Sequence, residues 1–196
     1  VLFQLKEAGE GLVKDRGSKF YSFAFPVHSQ EEIGQRLREL KKKYYDARHH
    51  CYAWRLGAKG EEAYATDDRE PTHSAGPPIL AAIHAAELTN VLVVVVRYFG
   101  GTKLGIRGLI EAYRSAAEAA LEGLAREPLV PKITFRLHFP YSQTSEINRI
   151  LHPYDTELVD ATYTDSCTQT LAIYEGEFPG LYQKLKDAGL EVDVLA

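Results

Sequence analysis

Three stretches of the chain concentrate residue types that can do chemistry. The first is RYFGGTKLGIRG, residues 97–108. A strand that turns through glycines into a helix exposes main-chain N–H groups at the positive end of the helix dipole. That is the physical basis of an anion site. Lys103 adds a mobile ammonium, with Arg97 and Arg107 on either side. The spacing is not that of a P-loop, which needs Lys directly after the last glycine and then Ser or Thr, nor that of a dinucleotide-binding turn. A purely structural account competes: the glycines supply positive φ for a tight turn, and Arg107 pairs with Glu111 one helical turn later.

The second stretch is DARHHCYAW, residues 46–54. On a strand, His49 and Cys51 share one face and His50 takes the other. Zinc would need about four ligands, and no second Cys/His group has a suitable spacing. Cys51 and a histidine could form a nucleophile pair, but a third member is not recognisable. In the alternative, Cys51 and Trp54 pack inward while Arg48 and His50 line a surface. The third stretch, TDDREPTHSAGPPIL (66–80), holds Asp67, Asp68 and Glu70 beside Arg69. These carboxylates could bind a divalent cation, or Glu70 could act as a general base. Equally, they could pair with Arg69 and cap the helix that follows. Ser74, Gly76 and two prolines fix a rigid backbone path, which suits recognition as well as catalysis.

The patterning supplies elements to position these residues. SKFYSFAFPV (18–27) alternates like a strand. Ser29 to Glu32 form a capping box, and Ile33, Leu37, Leu40 and Tyr44 follow at helical spacing, with Lys41 to Lys43 near the C-terminal end. Residues 49–57 and 63–67 predict a hairpin around Lys59–Gly60. Pro77–Pro78 open a helix that carries Ile79, Leu80, Ile83 and Leu88 inward. Val91 to Val96 form a central strand covered on at least one face. From Gly105 a long helix presents Leu109, Tyr113, Ala116, Ala120 and Leu124. REPLVP (126–131) is the expected linker. Beyond it the order is strand, helix, strand, strand, helix, strand, the pattern of a ferredoxin-like sheet. The chain therefore reads as α+β, with domains at 1–130 and 131–196.

With 45% hydrophobic and 26% charged residues among 196, the composition is that of a folded globular chain. The net charge of −4 excludes a uniformly basic nucleic-acid coat, though not a local basic patch. Residues 131–196 hold 5 Lys and Arg against 10 Asp and Glu, and the preceding residues hold 18 against 17. A polyanion site thus belongs in the first domain. Two cysteines without a paired motif fit a reduced, cytoplasmic compartment. No apolar run approaches the roughly 20 residues of a membrane span, and there is no apolar signal-like core at the N-terminus. With no methionine in the sequence, the first residues are not expected to be the natural start; VLFQ resembles part of a protease-site tag and could as easily be native.

Together, DARHHCYAW, DDREPTHSAGPPIL and VVVVRYFGGTKLGIRGLIEAY, in that order and spacing, resemble the IMPACT/YigZ family from about Lys14 to Leu124. The resemblance implies a first domain similar to the second domain of ribosomal protein S5. It implies a second domain like the ferredoxin-like C-terminal domain of bacterial YigZ-type members. Eukaryotic relatives regulate translation by occupying a protein partner of a stress-responsive kinase. The family pattern implies a shared surface and scaffold at Arg48, His49, Asp68, Glu70, Pro71, Ala75, Gly76, Arg97, Gly100, Gly101, Leu104, Gly105, Gly108 and Leu109. Arg69, His73 and Arg107 stand where the family usually has glycine. If those positions need positive φ, each costs about 1 kcal/mol or more. If they admit a ligand to the backbone, long side chains partly fill the space.

The resulting expectation is a binding protein rather than an enzyme, with no catalytic residue, cofactor or metal. Its surface joins Arg48 and His49, Asp68 and Glu70, and the turn from Arg97 through Gly100, Gly101, Lys103 and Gly105 to Arg107. The expected partner is RNA, the ribosome or a translation-associated protein, and not a membrane. Arg97, Lys103 and Arg107 would contact phosphates, and Tyr98 or Phe99 would stack on a base. Such binding falls steeply with salt. The alternatives are an enzyme acting on a phosphorylated small molecule, with Glu70 or Asp68 as base or metal ligand, and an adaptor that uses the acidic second domain.

Overall fold

The computed structural model describes residues 1–195. The chain divides into two compact units between Leu129 and Val130. The first unit contains β1 (Leu2–Leu5), β2 (Gly9–Asp15), β3 (Ser18–Pro26), α1 (Gln30–Lys43), β4 (His49–Leu56), β5 (Glu62–Thr66), α2 (Gly76–Ala85), β6 (Val91–Tyr98), α3 (Gly105–Leu121) and β7 (Arg126–Leu129). Five of these strands form an antiparallel sheet in the order β2-β3-β6-β4-β5.

The central strand explains the valine run. Val91, Val93 and Val95 pack with Phe20, Ile79, Ile83 and Tyr113 on the side of α2 and α3. Leu92, Val94 and Val96 pack with Phe23, Ile33 and Leu40 on the side of α1. Both faces are covered, so alternation disappears from the sequence. At the start of α1, Ser29 Oγ accepts from Glu32 N at 3.2 Å. The Glu32 carboxylate accepts from His28 N at 2.7 Å, one residue ahead of the N–H that a standard capping box would use. α2 ends at Ala85, so Leu88 is buried from the turn beyond it. α3 ends at Leu121, and Leu124 packs on the core from outside the helix.

REPLVP is not a free linker. Most of it is β7, paired antiparallel with β1 from Leu2↔Leu129 to Leu5↔Arg126. Pro128 lies opposite Phe3, in a two-stranded ribbon where a missing N–H is tolerated. β1 is also tied to the turn after α2. Phe3 N donates to Glu87 O at 2.8 Å, and Thr89 N donates to Phe3 O at 2.9 Å.

The second unit contains β8 (Lys132–Phe139), a short 3-10 turn, α4 (Thr144–Leu151), β9 (Thr156–Tyr163), β10 (Cys167–Tyr174), α5 (Phe178–Asp187) and β11 (Val192–Leu195). Its sheet is antiparallel in the order β11-β8-β10-β9. Each helix thus links strands that are not neighbours, as in a split βαβ arrangement. Phe135, Leu137, Phe139, Ile147, Leu181 and Leu185 form the core.

Candidate functional site

The loop between β5 and α2 is organised by two aspartates. Ala75, at the N-cap of α2, has no side-chain acceptor. Asp67 supplies one from a distance: Oδ1 accepts from Ala75 N at 3.1 Å and Gly76 N at 2.9 Å, and Oδ2 accepts from His73 N at 2.8 Å. Asp68 Oδ2 accepts from His50 N at 2.7 Å. Asp68 O accepts from His49 Nδ1 at 2.8 Å. The chain reverses through positive φ at Asp68 (37°), Arg69 (69°) and His73 (64°). Of the three positions at which the resemblance implied glycine, Arg69 and His73 therefore carry left-handed strain, costing roughly 1–2 kcal/mol each. The third does not, because Arg107 lies within α3.

Beneath this loop sits a buried ion group. The sheet register sets Arg97 opposite Phe20 on one side and His49 on the other. Arg97 Nη1 donates to Glu70 Oε1 at 2.9 Å and Oε2 at 2.8 Å. His49 Nε2 lies 2.8 Å from Glu70 Oε1. The Arg97 and Glu70 side chains are 7% and 2% exposed. The two ring nitrogens of His49 thus lie against Asp68 O and Glu70 Oε1. Arg97 Nη2 donates to Ser18 Oγ at 3.4 Å, which also accepts from Gly100 N at 3.2 Å. The guanidinium lies 5.6 Å from the ring centres of both Phe20 and Phe99. Its Nε is buried without an acceptor.

Arg97 is thus turned inward and neutralised, rather than joining Lys103 on the surface to contact phosphate. Glu70 is engaged as its counter-ion and is not free to act as a base. A nucleophilic Cys51 is likewise unsupported: the residue is fully buried, Sγ donates to Asp67 O at 3.1 Å, and burial pushes the thiol pKa up.

The glycines divide by role. A Cβ on Gly100 would lie 1.9 Å from Gly17 C, so this glycine serves contact between two turns of the chain. Gly101 and Gly105 have φ of 91° and 72°, with open space where a Cβ would point. Lys103 is exposed. Arg107 is also exposed, with Nε 3.4 Å from Glu111 Oε1. Arg48 is exposed, and its carbonyl accepts from Arg69 Nη2.

Lys103 and Arg97 both line a cleft of about 330 Å³, whose other walls are Pro71, Phe99, Leu104, Gly105, Ile106 and Leu109. Arg48, His49, Asp68 and Arg107 do not line it. A larger depression of about 540 Å³ between α2 and α3 is lined by four alanines with Ser115, Leu121, Glu118 and Glu122, and contains none of the expected site residues. Sequence reasoning missed Ser18 and Gly17, which receive Arg97 and Gly100 only after the strands pair. It also left Ile106 unremarked: helical spacing from Leu109 and Tyr113 places it on the apolar stripe, yet it is 59% exposed at the start of α3.

Comparison with known proteins covers both units. Residues 16–121, more than half of the chain, match the model of the Impact N-terminal domain. IMPACT family member YigZ of Escherichia coli is 29% identical over 172 residues, covering 87% of this chain and 84% of YigZ. An IMPACT family member of Thermus thermophilus is 36% identical over 144 residues, covering 74% of this chain and 77% of its own. The crystal structure of a hypothetical protein superposes over 100% of this chain and 97% of that one, with a TM-score of 0.71 and 25% identity. The two-domain translational regulator Yih1 aligns at 32% identity over 61% of this chain and 48% of its own, with a TM-score of 0.41. By the extent of its N-terminal match and by these relatives, the chain belongs to the IMPACT family.

Proposed function

We propose that this chain is a non-catalytic binding protein acting in the regulation of translation. It contacts a protein component of the translation machinery through the corner built from Pro71, the turn from Phe99 to Gly105 and the start of α3. The translational context rests on family membership. The observation that carries the binding role is the way charge is used. Glu70 is held by Arg97 and His49, and Asp67 and Asp68 are held by main-chain N–H groups. The groups this corner leaves facing solvent are Lys103, Arg107, the N-terminus of α3 and apolar walls, which recognise rather than transform a ligand.

RNA or ribosome contact is a second reading, favoured by one feature. Phe99 is 56% exposed beside the cleft that Lys103 lines, where a base could stack on it. Co-sedimentation with ribosomes and their associated factors, at two salt concentrations, separates the two. Protein docking predicts a shallow salt response and loss of binding with Ile106→Asp. RNA docking predicts a steep salt response and loss with Lys103→Glu. Binding indifferent to both substitutions would remove this corner from the function.

A further inference from the structure

We infer that the groove between α1 and the edge strand β5 binds single-stranded RNA, with one base stacked on its aromatic floor and the sugar–phosphate chain running along the basic side of α1. The groove lies on the face of the five-stranded sheet that α1 covers and shares no residue with the cleft at the start of α3. It adds a second surface to the reading above, which enters at one point only: the translational setting selects RNA over DNA.

The sheet register builds the floor. Trp54 on β4 lies opposite Tyr64 on β5, and Tyr52 stands two residues before Trp54 on the same face. The Tyr64 ring stacks beside Trp54, with 6.1 Å between centres and 30° between planes, and its centre is 6.0 Å from that of Tyr52. Tyr52 and Trp54 are only partly covered by the core beneath α1. β5 ends the sheet, and Tyr64 remains 49% exposed. With the first two turns of α1 these rings enclose about 320 Å³. Three adjoining aromatic rings at an open edge offer a flat ligand a surface to stack on.

The charge on α1 decides which flat ligand. Gln30, Ile33, Gly34 and Leu37 line the groove. Residues four apart lie above one another on a helix, so the row Ile33–Leu37 runs on into Lys41, and the row Gln30–Gly34 into Arg38 and Lys42. A Cβ on Gly34 would come within 3.2 Å of Arg38 Nη1, so this guanidinium folds back to the lip of the groove. The other cations of the helix are engaged: Arg36 lies 3.5 Å from Glu39 and over the Phe25 ring, and Lys43 lies over Tyr44. Arg38, Lys41 and Lys42 are exposed and, among the described residues, pair with no carboxylate. Asp68, the carboxylate whose charge reaches Tyr52, accepts from His50 N and lies 3.8 Å from Arg69 Nε. A row of unpaired cations beside a stacking floor complements a polyanion that carries flat rings. An acidic peptide lacks the rings, and a duplex keeps its bases stacked inside. A single strand presents both phosphates and bases.

Trp54 is the only tryptophan and forms part of the floor, so its fluorescence reports occupancy of the groove. Titration of the full chain with hexauridylate should quench it. Affinity should fall with salt at a log–log slope of about −2, from three cations at about 0.7 each. Tyr64→Ala should weaken binding about tenfold through the loss of one stacking ring, at an unchanged slope. Arg38→Gln, at an exposed helix position, should reduce the slope to about −1.4 and leave the quenching at saturation intact. Hexaglutamate should bind at least tenfold more weakly than the RNA. Equal affinity for hexaglutamate, or no effect of Tyr64→Ala, would overturn the stacking. A flat salt response would overturn the phosphate track. Tighter binding of the deoxy oligomer would overturn the choice of RNA, and quenching abolished by Lys103→Glu would move the ligand to the α3 corner. No quenching at low salt would sink this inference and leave protein docking at that corner untouched. Quenching without any co-sedimenting partner would sink the proposed function and leave the groove standing.

Discussion

Replacing Glu70 by glutamine keeps the length of the side chain and removes its charge. In the folded protein the carboxylate is 2% exposed, accepts twice from Arg97 Nη1 and faces His49 Nε2. Glutamine has one carbonyl oxygen to offer, and its amide must point N–H toward one of two donors. The Arg97 guanidinium then stays buried without a counter-charge, which typically costs about 3–5 kcal/mol. Because one acceptor remains, the lower end applies, about 3 kcal/mol. For a unit of this size, that is a fall in melting temperature of about 10 °C. Trp54 is the only tryptophan and lies in β4 of the same unit, so its fluorescence in urea reports this unit directly. Arg97→Met alone should cost a similar amount by stranding Glu70. The double variant should be less destabilised than the sum of the singles by about 2 kcal/mol, the coupling of a contacting pair. A cost below about 1 kcal/mol for Glu70→Gln, or strict additivity in the double variant, would refute the view that this pair locks the loop to the sheet.

Three further outcomes follow from local geometry. Gly100→Ala should cost about 3 kcal/mol in thermal melts, because its Cβ would meet Gly17 C at 1.9 Å and Ser18 N at 2.2 Å. Gly101→Ala meets no atom within 4 Å and should cost about 1 kcal/mol for its φ of 91° alone; a reversed order would show that the two turns do not touch. Asp67→Ala removes the acceptor for three main-chain N–H groups. It should cost about 2 kcal/mol and speed hydrogen exchange at His73, Ala75 and Gly76, and unchanged exchange there would contradict the capping role. His73→Gly relieves a φ of 64° worth about 1–2 kcal/mol and adds unfolded-chain entropy of about 0.5–1 kcal/mol. A net gain of about 0.5 kcal/mol in urea midpoint analysis is expected, and a clear loss would mean that the imidazole makes a contact of its own.

Much of the scaffold could be read from local pattern. The capping box, the hairpin around Lys59–Gly60, the prolines opening α2 and the apolar stripe of α3 each depend on residues a few positions apart, and each appears close to where spacing placed it, with Glu32 reaching His28 N and Leu124 lying beyond the helix. The β7 strand could not be read this way, because its partner is the first strand of the chain and two prolines mimic a break. The motif residues were legible as a set, while their roles were not. A sequence shows that Arg97 is positive, but not that a glutamate 27 positions earlier will sit against it.

The amino-acid order by itself fixed the type of most elements (β1, β2 and β7 excepted), the α+β class and the concentration of glycines and cations after the valine strand, because periodicity, capping and turn chemistry act over short distances. Only the tertiary structure decided which charges are spent. Pairing β6 between β3 and β4 turns Arg97 onto the buried face, where Glu70 and His49 meet it, and leaves Lys103 on the rim of an apolar cleft. The physical reason is desolvation: a charge carried into the core must find a counter-charge there, and its availability depends on strand order and register, which no local spacing encodes.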